Sequence, residues 1–520
     1  MASSNTISLS AGDFENAHSK YDCDFVESAP ISAQGLDFST AASRLSKSHR
    51  DYLMERHGTL ELDPLPTMDP ADPYNWPEWK KMANLLLVAF HACMGTFAAA
   101  GIIPAYSDIM ELYGVSNQQA SYLTSLQIAV LGGAPLFWKP LSHRFGRRPI
   151  FLLSLILSLV CNIGCAKSTT YSATAACRAL SAFFIAPASA IGSAVVMETT
   201  FKVDRARYMG VWTLMITLGV PLGPFIFGFV AYRAGYNWIY WVLAIINGVQ
   251  FILYLFLGPE TRFIDGEDSA NGSVFKREYI YIRRIDPTPF TWYEFVKPLT
   301  MVTRPFIVIP TCAYAMVFLF ANIMTTVEIP ALLQTKFDLN SEQVGLQFLG
   351  LIIGSVIGEQ VGGGLSDYWM RMRTRRTLSK PEPEFRLWLS YFGYTLACIG
   401  MIVFLVCTQE ATADHWVVNP IIGTGIAAAG SQIVTTVMVT YAVDCCPQDA
   451  ASIGVFITFV RQIWGFLGPF WFTPMFDNVG VAASSGIVCG MIVAVSILPT
   501  MFLQMRGRIW RRKEEEMVSE

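Results

Sequence analysis

Long runs of apolar residues recur along most of the chain and are separated by short polar segments. The runs lie at about 82–104, 120–138, 150–167, 171–198, 207–231 and 238–258, and again at 306–330, 343–366, 386–408, 415–443, 450–474 and 481–504. A helix needs about 20 apolar residues to cross the hydrocarbon core of a bilayer. The pattern therefore predicts an all-α membrane protein with twelve transmembrane helices.

Polar segments divide these runs into five regions. Residues 1–81 are rich in Ser, Asp and Glu and do not open with a secretory signal, which predicts a disordered cytosolic N-terminal tail. The other regions are a six-helix bundle at 82–258, a cytosolic central loop at 259–305, a second six-helix bundle at 306–504 and a cytosolic C-terminal tail at 505–520.

The distribution of Lys and Arg predicts the orientation in the membrane. Short loops rich in these residues remain in the cytosol, and the loops after spans two, four and eight contain clusters that include Lys139, Arg205 and Arg373. Both termini and the central loop are therefore expected in the cytosol. The glycosylation sequon at Asn271 would then be unused.

Composition excludes several other classes of protein. Of the 520 residues, 53% are hydrophobic and 15% are charged, whereas soluble proteins carry about 25% charged residues. The net charge of −3 gives no basic field that would attract nucleic acid. The eleven cysteines lack metal-ligand spacing, and the sequence has no phosphate-binding loop and no nucleophile elbow. We expect no metal, no cofactor, no nucleic-acid partner and no enzymatic activity.

An internal repeat indicates two related halves. The segment Leu141–Arg147 after span two is similar to Leu365–Arg371 after span eight, because both share Leu-Ser and an Arg five positions beyond the Ser. Span five contains Gly-Pro at 223–224, and span eleven contains it at 468–469. Two pseudo-symmetric six-helix bundles with a solute path between them are a known transporter design.

Several segments are similar to those of known transporters. They are Pro140-Leu-Ser-His-Arg-Phe-Gly-Arg-Arg-Pro149, Gly219-Val-Pro-Leu-Gly-Pro224 with Gly228, Arg178, Pro259-Glu-Thr-Arg262, Tyr441-Ala-Val-Asp444 and Arg461. Through them the chain, from about residue 72 to 505, resembles the major facilitator superfamily and its fungal twelve-span drug:proton antiporters. The resemblance implies an antiporter motif in span five, formed by Gly219, Pro221, Gly223, Pro224 and Gly228. It also implies cytosolic gating loops that contain His143, Arg144, Gly146, Arg147, Arg148, Asp367 and Arg371.

The first gating loop departs from the family pattern at two positions. Lys139 stands where the family usually has Gly, and His143 stands where it usually has an acidic residue. That acid is thought to hold the loop arginines against a facing helix, which a neutral His cannot do and a protonated His would oppose. We expect a weakened or pH-sensitive latch in the first half, with Asp367 supplying the acid in the second half.

Charged residues inside the apolar runs are candidates for proton coupling. Arg178 lies within span four, where a charge costs about 2.5 kcal/mol or more and therefore faces protein or water. Glu359 lies about two thirds of the way through span eight, and Glu328 lies near the outer end of span seven. Because a buried carboxyl group takes up a proton more readily, Glu359 is the leading candidate. The alternatives for Arg178 are a structural ion pair or a side chain that snorkels to the outer surface, and the alternative for Glu328 is an interfacial helix end.

Polar and aromatic residues at cavity-like depths are candidates for the solute path. Arg461 is the foremost, because it lies near the centre of span eleven with no membrane surface within reach; a buried network between helices is the alternative. The full set is Arg461, Gln462, Trp464, Trp212, Tyr314, Asn322, Gln347 and Gln432. Most aromatic residues in such helices simply face lipid or pack against neighbours.

The glycines of span five have both a functional and a structural interpretation. Gly219 and Gly223 share one helix face, so a neighbouring helix can approach closely while Pro221 and Pro224 bend the axis. Close packing there would seal the solute path against leak, as the resemblance implies. A simple packing and kink site is the alternative.

These observations predict a secondary transporter without an ATP-binding motif. The expected activity is proton-coupled efflux of a drug-like compound or secondary metabolite across the plasma membrane, by a monomer whose partners are the solute, protons and the bilayer. Two alternatives stay open. One is proton-coupled uptake of a nutrient or cationic amine, and the other is a non-transporting sensor that signals through the N-terminal tail.

Overall fold

The computed structural model describes residues 45–60, 62–263, 274–280, 284–286, 289–377, 382–413, 415–446 and 449–519. The first 44 residues and the sequon at Asn271 lie outside the described residues. Some side chains within described helices, those of Asp367 and Arg371 included, also lie outside the description.

Twelve helices in the described part of the chain are long and apolar enough to cross a membrane, which confirms the predicted fold class. Numbered as spans 1 to 12, they are Glu78–Tyr113, Asn117–Phe145, Arg147–Lys167, Tyr171–Thr199, Arg207–Ala234, Asn237–Leu257, Pro305–Phe337, Ser341–Met370, Pro383–Glu410, Asn419–Cys445, Ala450–Phe470 and Val481–Arg512. Span 5 is the membrane part of a longer helix, Lys202–Ala234.

Helix packing follows the predicted pseudo-symmetry. In the first half, span 1 packs against span 5, span 2 against span 4 and span 3 against span 6. The second half repeats this pattern, since span 7 packs against span 11, span 8 against span 10 and span 9 against span 12. Spans 1–6 and spans 7–12 therefore form two six-helix bundles of the same design.

Several spans depart from regular α-helix. Span 1 has a 3₁₀ turn at Ile103–Ala105, and span 4 is interrupted where Pro187 begins its second helix. Span 7 contains two π-helical segments, Leu319–Met324 and Pro330–Gln334, and span 12 contains one at Val493–Ile497. A π-helical turn redirects side chains and is frequent at functional sites, and span 7 uses its first one beside the cavity described below.

The N-terminal segment contains a helix where the sequence predicts a disordered tail. It runs from Lys47 to His57. The Ser46 side chain caps its start by accepting a hydrogen bond from the His49 N–H, and Gly58, with a φ of 71°, caps its end. Such capping residues favour a helix even when, as here, most of its residues are polar. Single-residue caps are a weak signal in sequence, which explains the difference.

Short helices occur in the segment of the chain that connects the two bundles, at one end of the molecule. They are Val274–Tyr279, Trp292–Val296 and the 3₁₀ helix Lys297–Thr303. The basic end is our name for the end where the predicted cytosolic loops lie, and its described residues are 139–148, 198–206, 259–263, 274–280, 284–286, 289–305, 444–446 and 449–450. The other end is called the opposite end.

Candidate functional site

A small cavity lined by both apolar and polar side chains lies between the two halves. Spans 1, 2 and 5 line it from the first half, and spans 7, 10 and 11 line it from the second. Its enclosed space is about 30 Å³, which holds about one or two water molecules. The lining residues are Thr96, Ala99, Ala100, Ile103, Thr124, Ile128, Leu131, Ile216, Thr217, Val220, Tyr314, Phe318, Asn322, Ile323, Thr326, Val327, Gln432, Thr435, Arg461 and Gln462. An organic solute enters only if the halves move apart.

Arg461 supplies the charge of this cavity. Its Nη1 donates a hydrogen bond to the Tyr314 hydroxyl at 3.0 Å, and its guanidinium carbon lies 4.8 Å from the centre of the Phe318 ring. Its Nε is buried and has no hydrogen-bond partner among the described residues. A guanidinium held by one hydroxyl and one aromatic face keeps most of its donors available.

Glu359 reaches the cavity through one neighbouring side chain. Gln432, which lines the cavity, donates from Nε2 to a carboxylate oxygen of Glu359 at 2.5 Å. The Thr436 hydroxyl lies 3.4 Å from the same oxygen. Glu359 itself is only partly buried. The arrangement joins spans 8 and 10 and places a titratable group directly behind a cavity-lining amide.

Arg178 does not line the cavity but holds together the helices around it. Its Nε donates to the Leu123 carbonyl at 3.3 Å, and its Nη2 donates to the Ala99 carbonyl at 3.1 Å. Its side chain is buried, and no acidic residue of the described chain forms an ion pair with it. Two carbonyl dipoles therefore meet its charge, and the contacts tie span 4 to spans 1 and 2.

Glu328 is buried rather than exposed at a helix end. It is 3% exposed and lies in span 7 next to Thr326 and Val327, which line the cavity. Thr473 and the charged Asp477 lie close enough to interact with its carboxyl group. Both belong to the helix Phe472–Val479, at the opposite end of the molecule. Glu328 thus lies between the cavity and that end.

The span 5 glycines pack closely against two different helices. A side-chain carbon at Gly223 would lie 2.5 Å from the Phe97 carbonyl oxygen, and one at Gly219 would meet the Cys93 carbonyl at 2.5 Å, both in span 1. A side-chain carbon at Gly228 would lie 2.9 Å from the Cα of Gly345 in span 8. Pro221 and Pro224 are buried between these contacts. The motif therefore brings span 5 against span 1 and, at the opposite end, against the second half.

Two carboxylates from the central loop hold Arg144 at the basic end. Arg144 forms an ion pair with Asp286 at 2.5 Å and a second ion pair with Glu294. The Arg144 carbonyl accepts from the Ile285 N–H at 2.8 Å. Arg144, next to His143, thus meets two carboxylates of the central loop. The sequence does not predict this contact, because the central loop has no periodic pattern, and the weakened or pH-sensitive latch expected from His143 stays a prediction.

Glu260 caps the start of span 3. Its carboxylate accepts hydrogen bonds from the N–H groups of Arg147, Arg148 and Arg262 at 2.8, 3.0 and 2.8 Å. Gly146 precedes these donors with a φ of 88°, and a side chain there would collide with Glu260. Burial raises the pKa of the Glu260 carboxyl, although the three N–H donors act in the other direction.

The arginines of the first loop complete the basic end. The Arg148 guanidinium donates to the Tyr254 and Leu255 carbonyls at 2.8 and 2.9 Å, which caps the end of span 6. Arg147 forms an ion pair with Glu198 of span 4 at 2.7 Å. These contacts therefore connect the loop and span 3 to spans 4 and 6. Asp367 and Arg371, the corresponding residues of the second half, have side chains outside the described part.

The two halves touch on both sides of the cavity. At the basic end, Lys139 donates to the Ser452 hydroxyl at 3.0 Å. At the opposite end, Arg233 and Glu342 form an ion pair at 3.0 Å. The rings of Tyr122 and Phe470 also stack there, 4.7 Å apart. These contacts explain why the cavity between them is small.

Three predicted solute-path residues lie away from the cavity lining. The Gln347 side chain accepts from the Trp416 indole N–H at 3.2 Å, on an apolar groove formed by spans 8 and 10. Trp212 packs on Gly192 of span 4, and Trp464 is a half-buried packing residue. The other five, Arg461, Gln462, Tyr314, Asn322 and Gln432, line the cavity together.

Several residues of the site are not apparent from sequence. The threonines 96, 124, 217, 326 and 435 line the cavity, but isolated hydroxyls in apolar helices are too common to single out. Asp449 at the start of span 11 forms ion pairs with Lys297 at 3.3 Å and Arg304 at 2.8 Å. An acidic residue directly before a helix is the one signal that could have identified it.

Comparison with known proteins agrees with this architecture. The Major Facilitator Superfamily model matches residues 85–469. Similar proteins include the efflux pump radE of Floropilus chiversii, 25% identical over 464 residues that cover 85% of this chain and 83% of that protein. The efflux pump FUBT of Fusarium oxysporum is 26% identical over 487 residues, covering 91% and 81%. Citrate exporter 1 of Aspergillus niger is 26% identical over 498 residues, covering 91% and 94%. The chain is therefore a twelve-span transporter that belongs to the major facilitator superfamily.

Proposed function

We propose that this transporter exports a small organic solute in exchange for protons, by alternating access. The observation that supports it best is the contact between Gln432 in the cavity and Glu359 behind it. A site for the solute and a group that can bind a proton then share one side chain. Exchange of the solute for protons requires that such a shared group favour one ligand at a time.

The geometry suggests how the exchange would work. An ionised Glu359 holds the Gln432 amide in a charge-assisted hydrogen bond, which is stronger than a neutral one. When Glu359 takes up a proton, that bond weakens and the amide can rotate. The proton and the solute then compete through Gln432. Glu328, buried on the path to the opposite end, would deliver the proton.

Direction and location are part of the proposal. The names of two relatives describe efflux pumps and that of a third describes a citrate exporter, which supports export of a small organic compound. The excess of Lys and Arg at the basic end supports a cytosolic position for that end and for both termini. Export from a cell places the protein in the plasma membrane, where we expect it to act as a monomer.

The test combines solute identification with a change at Glu359. Metabolites are profiled inside and outside cells with and without the gene, and the compound most retained without it is loaded into liposomes that contain the purified protein. An imposed pH gradient should drive its flux measurably faster than no gradient does. Glu359→Gln should abolish this difference while some flux down the solute gradient remains.

A matched control is Glu410→Gln, because Glu410 is exposed at the end of span 9. It should keep the dependence on the pH gradient. If Glu359→Gln also keeps it, Glu359 is not the proton site. If flux in the wild-type protein ignores the pH gradient, the proton coupling itself is wrong.

A further inference from the structure

The cavity has one charged group and no acidic residue. Of the twenty lining residues in the described part of the chain, Arg461 alone carries a charge at neutral pH. None of the described Asp or Glu residues forms an ion pair with it. The buried arginines differ, because Arg144 and Arg147 meet carboxylates, whereas Arg148 and Arg178 meet backbone carbonyls. Arg461 is partly buried, with its Nε buried, and among the described residues it meets a hydroxyl and a ring face but no carboxylate and no carbonyl.

We infer that the solute is an organic carboxylate, and that its carboxylate group binds Arg461. This inference rests on the proposed transport function and names the class of its substrate. A buried charge is costly unless an opposite charge meets it, and the cavity offers none. A negatively charged solute would supply that partner on entry, whereas a cationic solute would meet a like charge.

The groups around Arg461 fit a carboxylate. Its Nε is buried and has no partner among the described residues, and one terminal nitrogen, Nη2, makes no described hydrogen bond. A planar guanidinium can bind both oxygens of a carboxylate at once. The Tyr314 hydroxyl already accepts from Arg461, so its own proton is free to be donated to a solute oxygen.

A single arginine favours a carboxylate over a phosphate. A phosphate monoester carries about 1.5 to 2 negative charges at neutral pH, which one guanidinium does not neutralise. The remaining lining is apolar or neutral, with Ile128, Leu131, Ile216, Val220 and Phe318 close to the polar groups. These side chains suit an apolar body attached to one carboxylate, once the halves separate enough to admit it.

The test uses three aromatic bodies, with benzene, naphthalene and indole rings, each prepared as a carboxylate, an amide and an amine. Binding to the purified protein is measured by titration calorimetry at neutral pH. At least one carboxylate should bind roughly tenfold or more tightly than its amide, and its amine should bind more weakly still. Equal binding of amide and carboxylate, tighter binding of the amine, or no binding of any carboxylate would overturn the inference.

Two variants separate binding from a purely structural role of Arg461. Arg461→Gln should lose the preference for carboxylate over amide, and Arg461→Lys should keep a reduced preference. If Arg461→Gln retains the wild-type preference, the inference is wrong. Should Arg461→Gln fail to fold, the wild-type series and Arg461→Lys still decide, since Lys preserves the charge. Pumping of amides or amines in liposomes without carboxylate binding would leave the transporter proposal intact and reject this one.

Discussion

Buried and partly buried charges differ in their surroundings in this protein. At the basic end, Arg144, Arg147 and Asp449 each have opposite charges within ion-pair distance. Arg178 meets two backbone carbonyls. In the cavity, Arg461 has a hydroxyl and an aromatic ring. The paired charges at the basic end hold loops to helices, whereas Arg461 has no anionic partner among the described residues, which is the observation behind the proposed binding of a carboxylate.

Asp449 gives a prediction about pH. Burial would raise the pKa of its carboxyl, but the hydrogen bond from Arg304 and the charge of Lys297 outweigh burial and lower that pKa. Its contribution to stability is therefore complete above the unfolded pKa of about 3.9 and is lost as the pH falls through the lower folded value. The melting temperature of purified wild-type protein should exceed that of Asp449→Asn at pH about 7, and the difference should shrink below pH about 4.

The comparison needs an aspartate without such partners. Asp338 is exposed between spans 7 and 8, and no ion pair to it is found among the described residues. Its φ is 49°, a left-handed conformation that Asn adopts as readily as Asp, so the exchange adds no backbone strain. Asp338→Asn should melt like the wild type at every pH. A difference between wild type and Asp449→Asn that grows in acid would show that Asp449 is not stabilised by its basic neighbours.

At the scale of helices, span 5 illustrates what sequence can and cannot predict. Its glycines and prolines indicate close packing and a bend, and the structure shows the close packing, within one continuous helix. The pattern does not say which helix approaches. Gly219 and Gly223 meet span 1 of the same bundle, while Gly228 meets Gly345 of the other. A short sequence motif therefore serves two interfaces, and only the fold distinguishes them.

Gly223→Ala should weaken the contact between spans 5 and 1. A methyl group there would lie 2.5 Å from the Phe97 carbonyl and 3.2 Å from the Gly101 nitrogen, both backbone atoms that cannot rotate away. Overpacking of this kind costs about 1–3 kcal/mol, so the melting temperature and the flux in liposomes should both fall.

Gly210→Ala is the matched control in the same helix, since among the described residues no atom outside the local helix backbone lies within 4 Å of the position its methyl group would take. That variant should melt and transport as the wild type does, or slightly better, because Ala favours helix over Gly. Equal behaviour of the two variants would mean that span 1 yields at little cost, and the close approach would then have no bearing on transport.

The limits of sequence reasoning follow from the range of the contacts. Apolar runs are local, so the twelve spans and the two halves could be predicted from them. Tyr314 and Arg461 could be chosen as candidates because each polar residue stands out individually in an apolar segment of the sequence. Their mutual hydrogen bond joins residues 147 positions apart, and the clasp of Arg144 by Asp286 joins residues 142 apart. A periodic sequence pattern does not predict contacts between residues so far apart in the chain.

At the scale of the whole molecule, a narrow cavity lies between contacts at both ends. Lys139 and Ser452 touch on one side, and Arg233 and Glu342 touch on the other. For a solute to pass, each contact must open in turn while the other remains closed. The pair at the opposite end is the simpler one to test, because Arg233 is 68% exposed and an exchange of charges there disturbs little packing.

Reversing the charge of Arg233 should make the cavity easier to reach from the opposite end, which we place outside the cell. Arg233→Glu replaces an exposed ion pair with two acidic residues that repel each other. Because an exposed ion pair contributes little to the stability of the closed state, the population of the open state should rise only about two- to fivefold. In a cysteine-free protein with Asn322→Cys in the cavity, a membrane-impermeant maleimide added outside intact cells should label faster by that factor. Glu342→Arg should act alike, and the double reversal should restore the slow rate because it rebuilds the pair.

A double variant that labels as fast as either single one would mean that this pair does not close the outer side. No labelling from outside in any variant would contradict the assigned orientation.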